Sequence, residues 1–189
     1  MTDDLQQDRL EALMEELHDS SQRILAAEGL AAQRACLLRM GEIVAETRKI
    51  GAELWATLEA LFAAAEDNAP LDVATRAARL TRAYEFAIRL DRMSQDVTVD
   101  DELQAKACHK AVDIMKGLDA LTGGTQWALP LLAHADIGVR GSAAAHVAKA
   151  RPEKALPILR EISETSTSHS ARMSASIFLS IFERENGKS

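Results

Sequence analysis

A chain of 189 residues, 47% apolar yet only 4% aromatic and rich in alanine, has enough material for one or two domains with a buried core. Small apolar side chains suit closely packed helices, and the shortage of β-branched and aromatic residues excludes a sandwich or barrel, so the composition predicts an all-α protein. The formal net charge of −7 is gathered in the first third: residues 1–69 hold fourteen Asp/Glu against six Lys/Arg, and residues 70–189 hold fifteen against sixteen.

An acidic surface of this kind repels phosphate backbones and attracts basic partners. The two cysteines, Cys36 and Cys108, lack the density of a secreted disulfide framework and read as reduced, buried thiols. The N-terminus, Met1-Thr-Asp-Asp-Leu-Gln-Gln-Asp8, is acidic where a signal peptide needs a positive charge followed by an apolar run. The longest apolar run, Ala60-Leu-Phe-Ala-Ala-Ala65, is far short of a membrane span. A soluble, cytoplasmic protein with no membrane partner is the expectation.

In chain order, the first predicted helix runs from about Asp3 to Ala27, with Leu10, Leu13, Met14, Leu17, Ile24 and Leu25 at helical spacing and Gly29 as its stop. Asp8, Glu11, Glu15, Glu16 and Asp19 occupy the flanks and back of that apolar stripe. In the second helix Leu37, Gly41, Val44, Arg48, Gly51, Trp55, Leu58, Phe62 and Ala65 alternate four and three apart, a heptad seam interrupted by Arg48. Glycine inside a helix costs about 1 kcal/mol relative to alanine, so Gly41 and Gly51 mark where a neighbouring helix comes close. The expected neighbour is the first helix, folded back as a hairpin; the alternative is that the seam joins two copies as a homodimer.

Asp67-Asn-Ala-Pro70 turns the chain into a third helix, from about Asp72 to Met93, with Val73, Ala77, Leu80, Tyr84, Ala87 and Ile88 inward. It also carries Arg76, Arg79, Arg82, Arg89 and Arg92, with Glu85 and Asp91 among them. Five arginines make this the place where nucleic acid is worth considering. Pairing with the acidic first two helices is the reading that the overall charge favours. Residues 94–102 are the expected boundary between an N-terminal helical bundle, 1–95, and a second domain, 100–189. The fourth helix, to about Leu121, buries Leu103, Ala107, Val112, Met115 and Leu118 and ends at Thr122-Gly-Gly124. Four shorter helices follow, at about Thr125–Ala133, Ile137–Lys149, Pro152–Glu164 and Ser168–Glu185. The last closes the stack with Ala171, Met173, Ile177, Phe178, Ile181 and Phe182, and residues 184–189 form a frayed tail.

Within this region the chain writes nearly the same phrase twice, Ala128-Leu-Pro-Leu-Leu132 and Ala155-Leu-Pro-Ile-Leu159. Between them, Ala135-Asp-Ile-Gly-Val-Arg-Gly-Ser-Ala-Ala-Ala-His-Val147 is a turn leading into a small-residue helix. Self-similarity over roughly thirty residues points to stacked helical hairpins. These residues resemble HEAT-type repeats, and the chain from about Lys106 onward is similar to a small HEAT-like domain of unknown function found in many bacterial proteins. The resemblance implies an α-solenoid of short hairpins after the N-terminal bundle. It implies structural roles for Asp136, Val139 and Arg140: Asp136 as N-cap, and Arg140 bonded to a carbonyl or carboxylate one layer away. Arg172 begins the equivalent last helix, where Thr/Ser replaces the acid.

No constellation suited to catalysis emerges. Cys108 and His109 are adjacent and point about 100° apart on a helix, so they cannot readily share a metal ion. His134 and His146 lie on different elements without ligand spacing, which favours capping or surface roles. Ser168-His-Ser170 is a polar helix start, Thr122-Gly-Gly-Thr125 lacks the lysine of a phosphate loop, and Asp100-Asp101 reads as capping. The expectation is a protein without catalytic residues, metal or cofactor. It binds another protein, most concretely as an immunity or antitoxin-like protein masking a bacterial toxin. The partner is basic and meets Glu11, Glu15 and Glu16. The alternatives are a nucleic-acid-associated factor and a dimerising adaptor.

Overall fold

The structure, a computed structural model, describes residues 9, 12, 13, 15, 16, 19, 20, 22, 23, 26, 29–66, 72–97 and 101–186, and of 93–97 the backbone alone. Most of the first helix's expected stripe, its acids Asp8 and Glu11, the turn at 67–70 and residues 187–189 lie outside the described residues. The described residues from 9 to 26 are helical. Six α-helices follow: α1 (Leu30–Glu66), α2 (Val73–Val97), α3 (Asp101–Thr122), α4 (Ile137–Val147), α5 (Pro152–Thr165) and α6 (His169–Asn186). Two 3-10 turns, Thr125–Ala128 and Pro130–Ala133, join α3 to α4. Among the described residues there is no strand, and no helix is long and apolar enough to cross a membrane.

Local chemistry accounts for the boundaries. Gly29, at φ 98°, supplies the left-handed backbone before α1. Asp72 caps α2 by accepting from the Thr75 amide (2.9 Å) and hydroxyl (2.7 Å). After α3, Gly123 and Gly124 take φ 75° and 138°, and the Gly124 amide closes back onto the Asp119 carbonyl at 2.9 Å. The helix expected at Thr125–Ala133 is instead two 3-10 turns. Pro130 has no N–H to continue an α-helix, and the amides of Leu129 and Leu132 bond three residues back, to Gln126 and Leu129. Pro157, by contrast, sits at an exposed position inside an unbroken α5.

One core cluster takes residues from α1 through α6. Its residues correct several expected faces. In α1 the buried row is Ile43, Thr47, Ile50, Leu54, Leu58 and Ala65, while Leu37, Gly41 and Arg48 of the expected seam are exposed. Only one of the two glycines marks a close approach. A Cβ on Gly51 would lie 2.7 Å from Leu103 Cδ2, so α3 presses there rather than the N-terminal helix, whereas Gly41 faces open space. In α3 the inward residues are Ala107, Ala111, Ile114 and Leu118, and Val112 is exposed. Val73 is exposed on α2, where Ala83 and Leu90 are buried instead. On α6, Met173, Ile177 and Ile181 face solvent.

Sequential helices are neighbours: α2 packs most extensively on α3, α1 lies on α2, and α4, α5 and α6 pack in order. The two halves meet through α2. Tyr84 sets its ring edge-on to Trp127 at 5.0 Å and hydrogen-bonds Ser142 of α4 at 2.7 Å. Asp119 of α3 accepts from Trp127 Nε1 (2.7 Å) and bonds His146 Nε2 of α4 (2.9 Å), and the Trp127 and His146 rings lie 5.4 Å apart.

Candidate functional site

The Asp136 motif lies where α2 meets the start of α4. Asp136 has the extended backbone of an N-cap (φ −69°, ψ 124°), and its Oδ1 accepts from the Val139 amide at 2.9 Å. The same oxygen receives Arg92 Nη1 of α2 at 3.2 Å. The Asp136 amide donates to His134 Nδ1 at 2.9 Å, so His134 is a turn residue with an acceptor nitrogen facing its own chain. Val139 is fully buried. Half-buried Arg140 reaches the exposed Glu161 of α5, Nη2 to Oε1 at 3.5 Å. Arg172 donates to the Ser166 carbonyl at 2.8 Å, holding the α5–α6 turn.

Of the five α2 arginines, Arg79 donates to the Ala64 carbonyl near the end of α1 (2.9 Å) and Arg92 pairs with Asp136. The partners are a helix C-terminus and the α4 cap, and the acids of α1 receive neither of these two arginines. Arg92 was one arginine among five in the sequence, and nothing local distinguished it, because Asp136 is 44 residues away. The cysteines are not the buried thiols expected: Cys108 is exposed and Cys36 half-buried. Partial burial, and then the Asp91 carboxylate, push the Cys108 thiol above its usual range, which lowers its thiolate fraction at neutral pH. Among the described residues no group of His, Cys, Asp and Glu is arranged to hold a metal ion.

Tyr84 carries a consequence for stability. Burial pushes its phenol up to about 12, opposed by the Ser142 hydrogen bond and aided by the Asp119 charge. The folded state therefore holds the proton more tightly than the unfolded chain. Its contribution is complete below the ordinary tyrosine value of about 10 and is lost as pH rises from about 10 through about 12. Tyr84 is the only tyrosine. Its ionisation can be followed directly by ultraviolet absorbance, and Tyr84→Phe is expected to flatten that part of the alkaline urea-midpoint profile. Superimposable profiles from the two proteins would refute a raised Tyr84.

The expected partner face is partly visible. Glu15 is exposed, Glu11 lies outside the described residues, and Glu16 is engaged by Arg39 through Nε (2.7 Å) and Nη2 (2.9 Å). That hydrogen-bonded pair holds the Glu16 carboxyl below the usual carboxylate range. Arg39 also binds Glu42, and Arg9 pairs with Glu46, so ion pairs tie the N-terminal helical residues to α1. Beside them, α1 opens with three exposed leucines: Leu30 at 86%, Leu37 at 58% and Leu38 at 64%. The heptad pattern hides them, since it places Leu37 in a seam. Leu30 lies one heptad before Leu37 in the same register, and Leu38 lies off that pattern.

The fold and these surfaces define an all-helical protein whose polar clusters hold helices together and which exposes leucines in its acidic third and a row of apolar side chains on α6. No known protein family, characterised protein or solved structure matches the chain.

Proposed function

We propose that this chain is a non-catalytic module that binds another protein, most concretely an immunity or antitoxin-like protein masking a basic toxin. The exposure of Leu30, Leu37 and Leu38 within the acid-rich first third carries the reading. Protein interfaces combine a few large apolar anchors with a polar rim, and the rim charge governs encounter more than final affinity. Here the anchors are leucines and the charge excess of residues 1–69 is carboxylate, which selects a partner with apolar side chains and a basic surface. The C-terminal half fits the same reading as HEAT-like stacked hairpins, a form whose extended faces bind macromolecules; this part of the reading rests on fold-level analogy.

The test uses a partner purified with the full chain and measures its association kinetics. Glu15→Lys with Asp19→Lys changes two exposed acids and spares Glu16, which Arg39 already holds. These reversals are expected to slow association about tenfold at low salt and to flatten its salt dependence. Leu37→Ser with Leu38→Ser is expected to speed dissociation by at least about tenfold, because apolar anchors act on lifetime. A partner whose on-rate ignores salt and the reversals, and whose lifetime ignores the leucines, sinks the proposal.

A further inference from the structure

Helices α4 and α6 touch but leave space between them, walled also by α2 and α5. Between them lies a cavity of about 250 Å³, because the facing residues are small: Gly138, Gly141 and Ser142 on α4, and Ser170, Ser174 and Ala175 on α6. Buried Leu159 and Ile162 of α5 form part of its wall. The two glycines protect this space. A Cβ on Gly141 would press Ile162 Cδ1 at 3.3 Å, and one on Gly138 would press Arg92 Cδ at 3.1 Å and Nη1 at 3.2 Å. Alanine at either place would shift the apolar wall or the cation.

The lining joins opposite charges to an apolar interior. Asp91 and Arg92, consecutive on α2, both reach the cavity, along with the hydroxyl-bearing Ser170 and Ser174, while Ile88, Ile137 and Phe178 are apolar. Arg92 gives Nη1 to Asp136 at 3.2 Å, and a guanidinium has five N–H donors in a planar fork, so a second carboxylate can be taken on another edge. A carboxylate such as Asp91 likewise accepts several hydrogen bonds at once. A fatty acid would satisfy Arg92 but set its charge beside Asp91, and an aliphatic amine would make the reverse error. A zwitterion with an apolar tail satisfies both. A space of this size takes about ten non-hydrogen atoms, the size of leucine or phenylalanine.

We propose that this cavity binds a free apolar α-amino acid, its carboxylate on Arg92, its ammonium on Asp91 and its side chain against Leu159 and Ile162. The site uses none of the residues of the partner face, so the two proposals stand or fall separately.

Calorimetric titration of the full chain tests it with four ligands: L-leucine, L-phenylalanine, leucinamide, which lacks the carboxylate, and 4-methylpentanoate, which lacks the amine. One of the amino acids is expected to bind with a Kd at or below about 1 mM, in line with the affinity open to so small a ligand. Both truncated analogues should be at least about tenfold weaker than leucine. Ser174 is exposed, so Ser174→Leu should fill the mouth, abolish binding and leave the circular dichroism and melting temperature as they were. Absence of binding by both amino acids up to about 10 mM overturns the proposal. So does leucinamide matching leucine, which would assign the site to a peptide N-terminus, or 4-methylpentanoate matching it, which would leave Asp91 without a role. Unchanged leucine binding by a well-folded Ser174→Leu protein places the ligand elsewhere and is equally fatal.

Discussion

Leu118→Ala is expected to lower the free energy of unfolding by about 2–5 kcal/mol, a large share of the 5–15 kcal/mol typical of a folded domain. Leu118 is fully buried on α3, in the core cluster that unites the helices, so the lost methyl groups leave a cavity as well as a transfer cost. Ile114, one turn earlier and equally buried, should behave alike. Val112→Ala lies two residues away on the exposed side of the same helix and should stay within about 0.5 kcal/mol. Urea titration of the three variants therefore reads the orientation of α3. Comparable losses at Val112 and Leu118 would mean that the helix is turned from the face described.

Asp136→Ala should cost about 2–3 kcal/mol, because one oxygen serves two elements. The N-cap alone accounts for about 1 kcal/mol. The remainder comes from Arg92, which with its side chain only 26% exposed would lose a charged partner at a site where water replaces it incompletely. Asp136→Asn separates the parts: asparagine caps a helix nearly as well as aspartate, so the capping share should return and the Arg92 share should not. If alanine and asparagine cost the same, the α4 cap contributes nothing and the α2–α4 link carries the whole effect. If asparagine costs nothing, the link is idle.

The course of α1 to α6 was legible because their signals are local, whereas the 3-10 turns over 125–133 were not. Asp72 before α2, Thr122-Gly-Gly124 after α3 and Asp136 before α4 act within three to five residues, and short-range hydrogen bonds are written in neighbouring letters. Faces were less legible. On an alanine-rich helix, Ala111 buries as fully as a large residue, so counting the large apolar residues drew the α3 face toward Val112 and away from Ile114. The α1 seam slipped for a different reason. A row through Leu37, Gly41 and Val44 and a row through Ile43, Thr47 and Ile50 both keep the four-three spacing, and packing against other helices, not spacing, selects the second.

The sequence by itself determined an all-helical chain, its breaks, its caps and the concentration of acid in its first third. These follow from backbone propensity, capping chemistry and charge, which need no partner beyond one turn. Tertiary structure alone decided that Arg92 meets Asp136, that Tyr84 reaches Ser142, that α4 and α6 leave a cavity between them, and that Leu30, Leu37 and Leu38 remain uncovered. Each depends on which surfaces of distant segments meet, or on which surface meets none. A periodic pattern of similar side chains leaves that choice open until the helices are packed.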